Sequence, residues 1–188
     1  VSSVAITSAT GIENNLLNAG DVVSVTANFN ESVIIDNTSG TPTLTFVLGS
    51  TDQTATYTSG SGGTALVFKY TIQAGDNDSD GISIGANVLV LNSGTIKDAA
   101  GNNATLTHSA VSANTSYKAD TAAPTASWSA ATDNVGTVTG ALSSGDTTDD
   151  PTIILSGTNE AGSSVKVYDN TTELGSATVT GTSWSFSA

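Results

Sequence analysis

The densest group of residues able to do chemistry is Gly75-Asp76-Asn77-Asp78-Ser79-Asp80-Gly81. Three carboxylates at alternate positions ahead of a glycine are how a tight loop wraps oxygens around one hard cation, the glycine supplying the turn. Carboxylates this close repel one another unless something compensates. The pattern also opens an EF-hand loop, but the residues that follow, ISIGANV, bring no glutamate at the twelfth position and the flanks read as strands. The plain alternative is a solvated acidic turn. A second group, Asp98-Ala99-Ala100-Gly101-Asn102, sets oxygens at both ends of a hairpin turn, as an ordinary turn also does. Asp120 stands alone in a connecting segment. Further along come Asp133-Asn134-Val135-Gly136, then Asp146, Asp149 and Asp150 ahead of Pro151, and Asn159-Glu160-Ala161-Gly162. Asp-rich irregular loops that supply about seven oxygens in flexible geometry favour Ca²⁺ over Mg²⁺, so the expected cofactor is Ca²⁺.

Other chemistry is poorly provided for. Four lysines and no arginine face 17 acids, a net charge of −13, which argues against nucleic acid and anionic membrane surfaces as partners. Without cysteine there is no disulfide, thiolate or iron–sulfur chemistry. The one histidine, His108, sits in the alternating segment ATLTHSAV and reads as a strand side chain, not a general base. No G-x-S-x-G is present. A glycosidase-type pair would need two carboxylates at a fixed separation, and ion-binding loops account for the acids with fewer assumptions. The expectation is a protein that is not an enzyme. Trp128 and Trp184 could line a sugar platform, but core positions are expected of them. No apolar run is long enough to cross a bilayer, and VSSVAITSATG lacks the basic start and apolar core of a signal peptide. The chain reads as an internal piece of something longer.

The loops must be held by strands. Ser and Thr account for 57 of the 188 residues, a polarity that suits disorder, yet the apolar residues fall in short alternating runs separated by Gly, Asn, Asp and Ser, the pattern of many antiparallel strands. Val4 and Ile6 begin the first. Val23, Val25, Ala27 and Phe29 share a face of the second, and Leu44, Phe46 and Leu48 a face of the third. TATYTSG reads as a polar edge, Leu66, Phe68, Tyr70 and Ile72 as the best-patterned strand, and NVLVL, GTIKD and ATLTHSAV complete a set of about eight. An immunoglobulin-like sandwich needs roughly 7 strands in ~100 residues. After the linker Tyr117–Pro124 a second unit holds only about five strands, TIILSGT, SVKVYD, LGSATVT and WSFSA among them. The expected fold is therefore all-β, with two tandem immunoglobulin-like sandwiches over 1–120 and 121–188, the second lacking its closing strands and continued by further chain.

FNESVIID, DNDSDGI, GTIKDAAGN and the linker KADTAAPT together resemble the tandem bacterial immunoglobulin-like repeats of giant secreted adhesins of the repeats-in-toxin type. The stretch from DNVGTVTG to TSWSF is similar to a second type of repeat in the same proteins. The resemblance implies calcium-stiffened stalk modules, exported and displayed on the bacterial cell surface, whose partners are neighbouring repeats of the same polypeptide. It implies Glu31, Asp98, Asn102, Asp120 and Glu160 as ligands. The family's closing strands, with an Asp-x-x-Gly-Asn turn of their own, are missing from the second unit. Two other classes compete: a ligand-binding adhesion module recognising a cell-surface sugar or protein, and an accessory domain of a secreted hydrolase.

Sandwich topology says which ligands meet. Glu31 and the Asp98–Asn102 turn are expected together at the N-terminal end of the first unit, the DNDSDG loop at its opposite end, and Glu160 at the N-terminal end of the second, beside Asp120.

Overall fold

A computed structural model describes residues 1–188. The chain is all-β, with no helix and several sheets. It divides into two compact units, Val1–Ala122 and Ala123–Ala188.

The first unit opens with β1 (Ser3–Thr10), β2 (Leu16–Leu17) and the long β3 (Val22–Asp36). β4 (Thr43–Leu48), β5 (Thr51–Ser59) and β6 (Gly63–Thr71) follow as consecutive hairpins. Short strands complete it: β7 (Asn77–Asp78), β8 (Ile82–Ile84), β9 (Leu89–Val90), β10 (Thr95–Lys97), β11 (Val111–Asn114) and β12 (Lys118–Asp120). The large sheet runs β1-β3-β6-β5-β4-β8-β11, with β10 against the far end of β3 and β9 against β4. A small sheet sets β12 between β2, to which it is parallel, and β7, to which it is antiparallel.

Period-2 alternation builds the core, because successive strand side chains point to opposite faces. Ala27 pairs with Leu66, Val25 with Phe68, and Leu44 with Ala55, all fully buried. Burial of each such large apolar side chain contributes about 1.5–3 kcal/mol. Phe46 meets Tyr70, and Tyr57 meets Phe68, edge to face at 5.3 and 5.9 Å. β3 serves two partners. Val22–Asn28 pairs with β6, the register breaks between Asn28 and Val33, and Ile34–Asp36 then pairs with β10. Glu31 sits in that break.

Two expectations need correction. TATYTSG is not an edge: β5 lies between β4 and β6, with Ala55 in the core. Its threonines pave one face only, and the polarity of that face says nothing about whether the strand has partners on both sides. ATLTHSAV is not a strand: Ala104–Ala110 joins no ladder, and pairing begins only at Val111. His108 holds the segment in place by side-chain bonds described below.

The second unit comprises β13 (Ala126–Asp133), β14 (Gly140–Leu142), β15 (Ile154–Asn159), β16 (Lys166–Asp169), β17 (Thr172–Ser176), β18 (Thr178–Thr180) and β19 (Ser183–Ser187). A five-stranded sheet, β14-β13-β15-β19-β18, accompanies the β16–β17 hairpin. There are more strands than expected because LGSATVT breaks at Ala177, whose N–H turns to the Val165 carbonyl, and because β14 lies in the Asp- and Gly-rich loop. Only Val165 and Trp184 are buried apolar residues here. The Trp184 indole lies over Gly157, where a Cβ would come within 2.5 Å of Nε1, and Nε1–H donates to the Ser127 carbonyl at 3.1 Å. Trp128 pairs with the same glycine from the other side. With the space over Gly157 already filled, it stands 62% exposed instead of joining the core.

Candidate cation-binding loops

In the first unit, Asn77, Asp78, Asp80 and Asp120 line one cleft of about 460 Å³, with Leu16, Gly49 and Ala119. The register brings them there: on the small sheet Ala119 faces Asp78 and Asp120 faces Asn77. This is where the chain leaves the unit. Asp78 is 3% exposed and organises the loop, Oδ1 accepting from the N–H of Gly81 at 2.6 Å and of Asp80 at 3.1 Å, Oδ2 from Gly49 at 2.9 Å. Gly81 has φ +105°, and a Cβ there would lie 2.3 Å from the Asn114 carbonyl oxygen. Asn77 Oδ1 accepts from the Thr121 N–H at 3.1 Å, and Thr121 Oγ1 from the Gly75 N–H at 2.9 Å. The loop is thus stitched to the residues that follow β12.

Asp76 is not in that cleft. Its Oδ2 accepts from Tyr70 O–H and the Gln73 N–H, both at 2.8 Å, and its Oδ1 from Gln53 Nε2 at 3.1 Å. Burial, and then this carboxylate, push the Tyr70 hydroxyl up to about 12. Alternate spacing therefore does not bring all three aspartates together, because Asp76 closes the turn that begins at Gln73 while Asp78 caps the next one.

On its other side Asp120 lines a second cleft, with Glu13 and Asp21. Neither acid was singled out from the sequence. The signal that marks them is backbone punctuation: Asn14 and Asn15 both adopt positive φ just after Glu13, and Gly11 has no room for a Cβ, which would fall 1.8 Å from Asp21 Oδ1.

At the end where the chain comes in, Glu31, Asp98 and Asn102 line one cleft of about 290 Å³, with Val1, Ala104 and Thr105. The Asp98 turn is closed by its own side chain. Oδ2 accepts from Asn102 Nδ2 at 2.7 Å, and Oδ1 from the N–H groups of Asn102 at 2.8 Å and Ala100 at 2.9 Å. The Asn102 amide, then the Asn102 and other backbone N–H groups, hold this carboxyl below its ordinary value.

In the second unit, the turn after Asp133 interlocks with the loop carrying Asp149 and Asp150. Asp133 is 1% exposed, accepting from Val135 N–H at 3.1 Å and Thr148 O–H at 2.5 Å. Asp150 accepts from Thr152 N–H at 2.8 Å and Asn134 N–H at 3.3 Å, and Asp149 from Thr137 N–H at 3.1 Å. These lie at the far end of β13. Glu160 lies at its near end, its N–H donating to the Thr125 carbonyl at 3.1 Å. Beside it Asn159 is buried, with Nδ2 given to Glu160 O and Ser163 Oγ, and with Oδ1 left without a partner.

Loop N–H groups thus take up much of the carboxylate capacity, and at no point do three carboxylate or imidazole side chains converge into a ready metal-holding group. Backbone carbonyl and amide oxygens would have to complete any Ca²⁺ shell, as they commonly do. The orphaned Asn159 oxygen fits such a role, since a buried acceptor without a donor is costly. No protein-family model, curated protein or solved structure matches the chain.

Proposed function

We propose that the chain is a structural extender: two tandem immunoglobulin-like sandwiches from a calcium-dependent adhesin displayed outside a bacterial cell. It is not an enzyme, and its partners are neighbouring repeats of the same polypeptide. The observation that supports this most is the gathering of Asp78, Asp80 and Asp120 on one cleft where the chain leaves the first sandwich. A Ca²⁺ there, completed by carbonyl oxygens, would cancel the local repulsion and tie the outgoing strand to the DNDSDG loop. The linker would then leave the sandwich in one direction. Glu31, Asp98 and Asn102 offer a second set at the incoming end.

The test is thermal melting in millimolar Ca²⁺, in Mg²⁺ and in excess chelator. Ca²⁺ at about a hundredfold excess over Kd stabilises by about 2.7 kcal/mol per site, several degrees of melting temperature for a domain of this size. Mg²⁺ should do less. Asp120→Ala should remove part of the Ca²⁺ increment and leave the melt in chelator unchanged. Equal melting in Ca²⁺ and chelator would end the calcium reading.

One observation favours a second reading, a ligand-binding adhesion module for a cell-surface sugar or protein: Trp128 is exposed on its sheet. Exposed indoles stack on apolar sugar faces. Quenching or shift of tryptophan emission by a glycan, lost in Trp128→Ala, would support it. Silence across a glycan panel would remove the sugar-binding form of this reading.

A further inference from the structure

His108 is the only histidine of the chain, it is buried, and the cation-binding reading has no use for it. Both its ring nitrogens are bonded. The Val88 N–H donates to Nε2 at 3.0 Å, so Nε2 carries a lone pair and the ring proton sits on Nδ1, which donates to the Ser109 carbonyl at 3.0 Å. A neutral imidazole has one donor and one acceptor, and both are matched here. The backbone joins in: the His108 N–H donates to Asn87 Oδ1 at 2.9 Å, and the Asn87 N–H to the His108 carbonyl at 3.3 Å. Asn87 takes the left-handed conformation that aims it, with φ 58°. On the far side of this turn the Val88 carbonyl accepts from Thr45 of β4. Segment Ala104–Ala110 has no ladder of its own; the Ile96 carbonyl and the N-terminal amine hold its start, and these bonds fasten the part around His108.

We infer that His108 is an acid-sensitive latch for this segment. Protonation places a second N–H on Nε2, facing the Val88 N–H, so that a hydrogen bond becomes a confrontation of two donors in a buried position. Nothing nearby rewards the charged ring. β4, β8, residues 85–91 and residues 103–115 contain no other titratable side chain, and the single ion pair of the chain is Lys166–Glu173. Opening therefore takes up one proton, and the sign is fixed. The latch is closed when the ring is neutral and is lost when acid protonates it. Wherever the released ring is charged and the closed ring still neutral, each pH unit of acidification favours the released state by up to about tenfold. Ala104 and Thr105, at the start of the same segment, line the cleft that holds Glu31, Asp98 and Asn102. They are held there by bonds of their own, to the Ile96 carbonyl and from the N-terminal amine, so release is confined to the part of the segment around His108. The latch needs no bound cation and stands apart from the calcium reading.

The test is NMR on the full chain between pH 8 and 5, in excess chelator and again in Ca²⁺. Ring nitrogen shifts at pH 8 should report an unprotonated Nε2. The Val88 amide should lose exchange protection together with the His108 Cε1–H titration, by up to about tenfold per pH unit on the approach to its midpoint and no further below it. His108→Gln, whose neutral amide can accept from Val88 and donate to Ser109, should keep Val88 protected throughout. His108→Ala should leave it unprotected at both ends. The latch is overturned by a proton on Nε2 at pH 8, by no titration down to pH 5, by Val88 protection that ignores the titration, or by a His108→Gln variant that loses protection as the parent does. The parent and His108→Gln decide the matter even if His108→Ala fails to fold.

Discussion

Asp98 is tuned without being buried. Its carboxylate is held by the Asn102 amide and three backbone N–H groups of its own turn, and these bonds favour the charged form. The folded group therefore titrates below 3.8, its ordinary value, and its stabilisation is full above that value and lost as pH falls through the lowered one. A carboxyl-carbon NMR titration should find the Asp98 midpoint below 3.8 in the parent and nearer to it in Asn102→Ala. Equal midpoints would detach the shift from Asn102. Gly81 is a second such position. With φ +105° and a carbonyl 2.3 Å from any Cβ, Gly81→Ala should lower stability by about 1–3 kcal/mol, read by denaturant melting in chelator. At this scale the sequence was informative where a side chain closes its own turn, as in DAAGN. It was misleading where neighbouring residues belong to different turns: Asp76 and Asp78 are two apart in sequence yet serve separate loops. Glu13 and Asp21 were missed because only the fold of the Gly11–Asp21 loop carries them to Asp120.

Strand existence in the first unit was legible because each alternating run has a buried face, whereas strand neighbours were not. Nothing in TATYTSG distinguishes an edge from a strand with partners on both sides, since threonine suits the outward face of either. Nor could alternation tell that Ala104–Ala110 would be fastened by a histidine and not by a ladder. In the second unit the decisive element contact is Trp184 across Gly157 to β13. The indole Nε1–H on the Ser127 carbonyl is part-buried, and Trp184→Phe removes that donor together with part of the buried indole over Gly157, so the loss from the hydrogen bond is joined by a packing loss. The expected loss exceeds the roughly 1 kcal/mol of the bond alone, with faster amide exchange along β13 and β15 and none in the first unit. Unchanged exchange in β13 would mean that the bond carries no weight. Trp128, with the same residue type and the same glycine partner, shows why composition could not assign the two: only one ring can fill the space over Gly157.

As wholes, the two units differ in what holds them. The first buries an apolar cluster running from Val4 to Ala119, with Phe46, Phe68 and several leucines and isoleucines fully enclosed. The second buries only Val165 and Trp184 among its apolar side chains, while Trp128, Val135, Val138, Tyr168 and Leu174 are all exposed. Burial of apolar area is the main favourable contribution to folding, and small units bury a smaller fraction of their surface. The second unit should therefore unfold first. The sequence supplies its own reporter, since both tryptophans, Trp128 and Trp184, lie in the second unit and none in the first. Tryptophan emission should shift at a lower temperature than the main calorimetric transition, and at that temperature the His108 and Val88 resonances of the first unit should still be native. In chelator the two transitions should stand apart. Coincidence of tryptophan emission with the main transition, at every scan rate, would show that the second unit draws stability from something its own core does not supply.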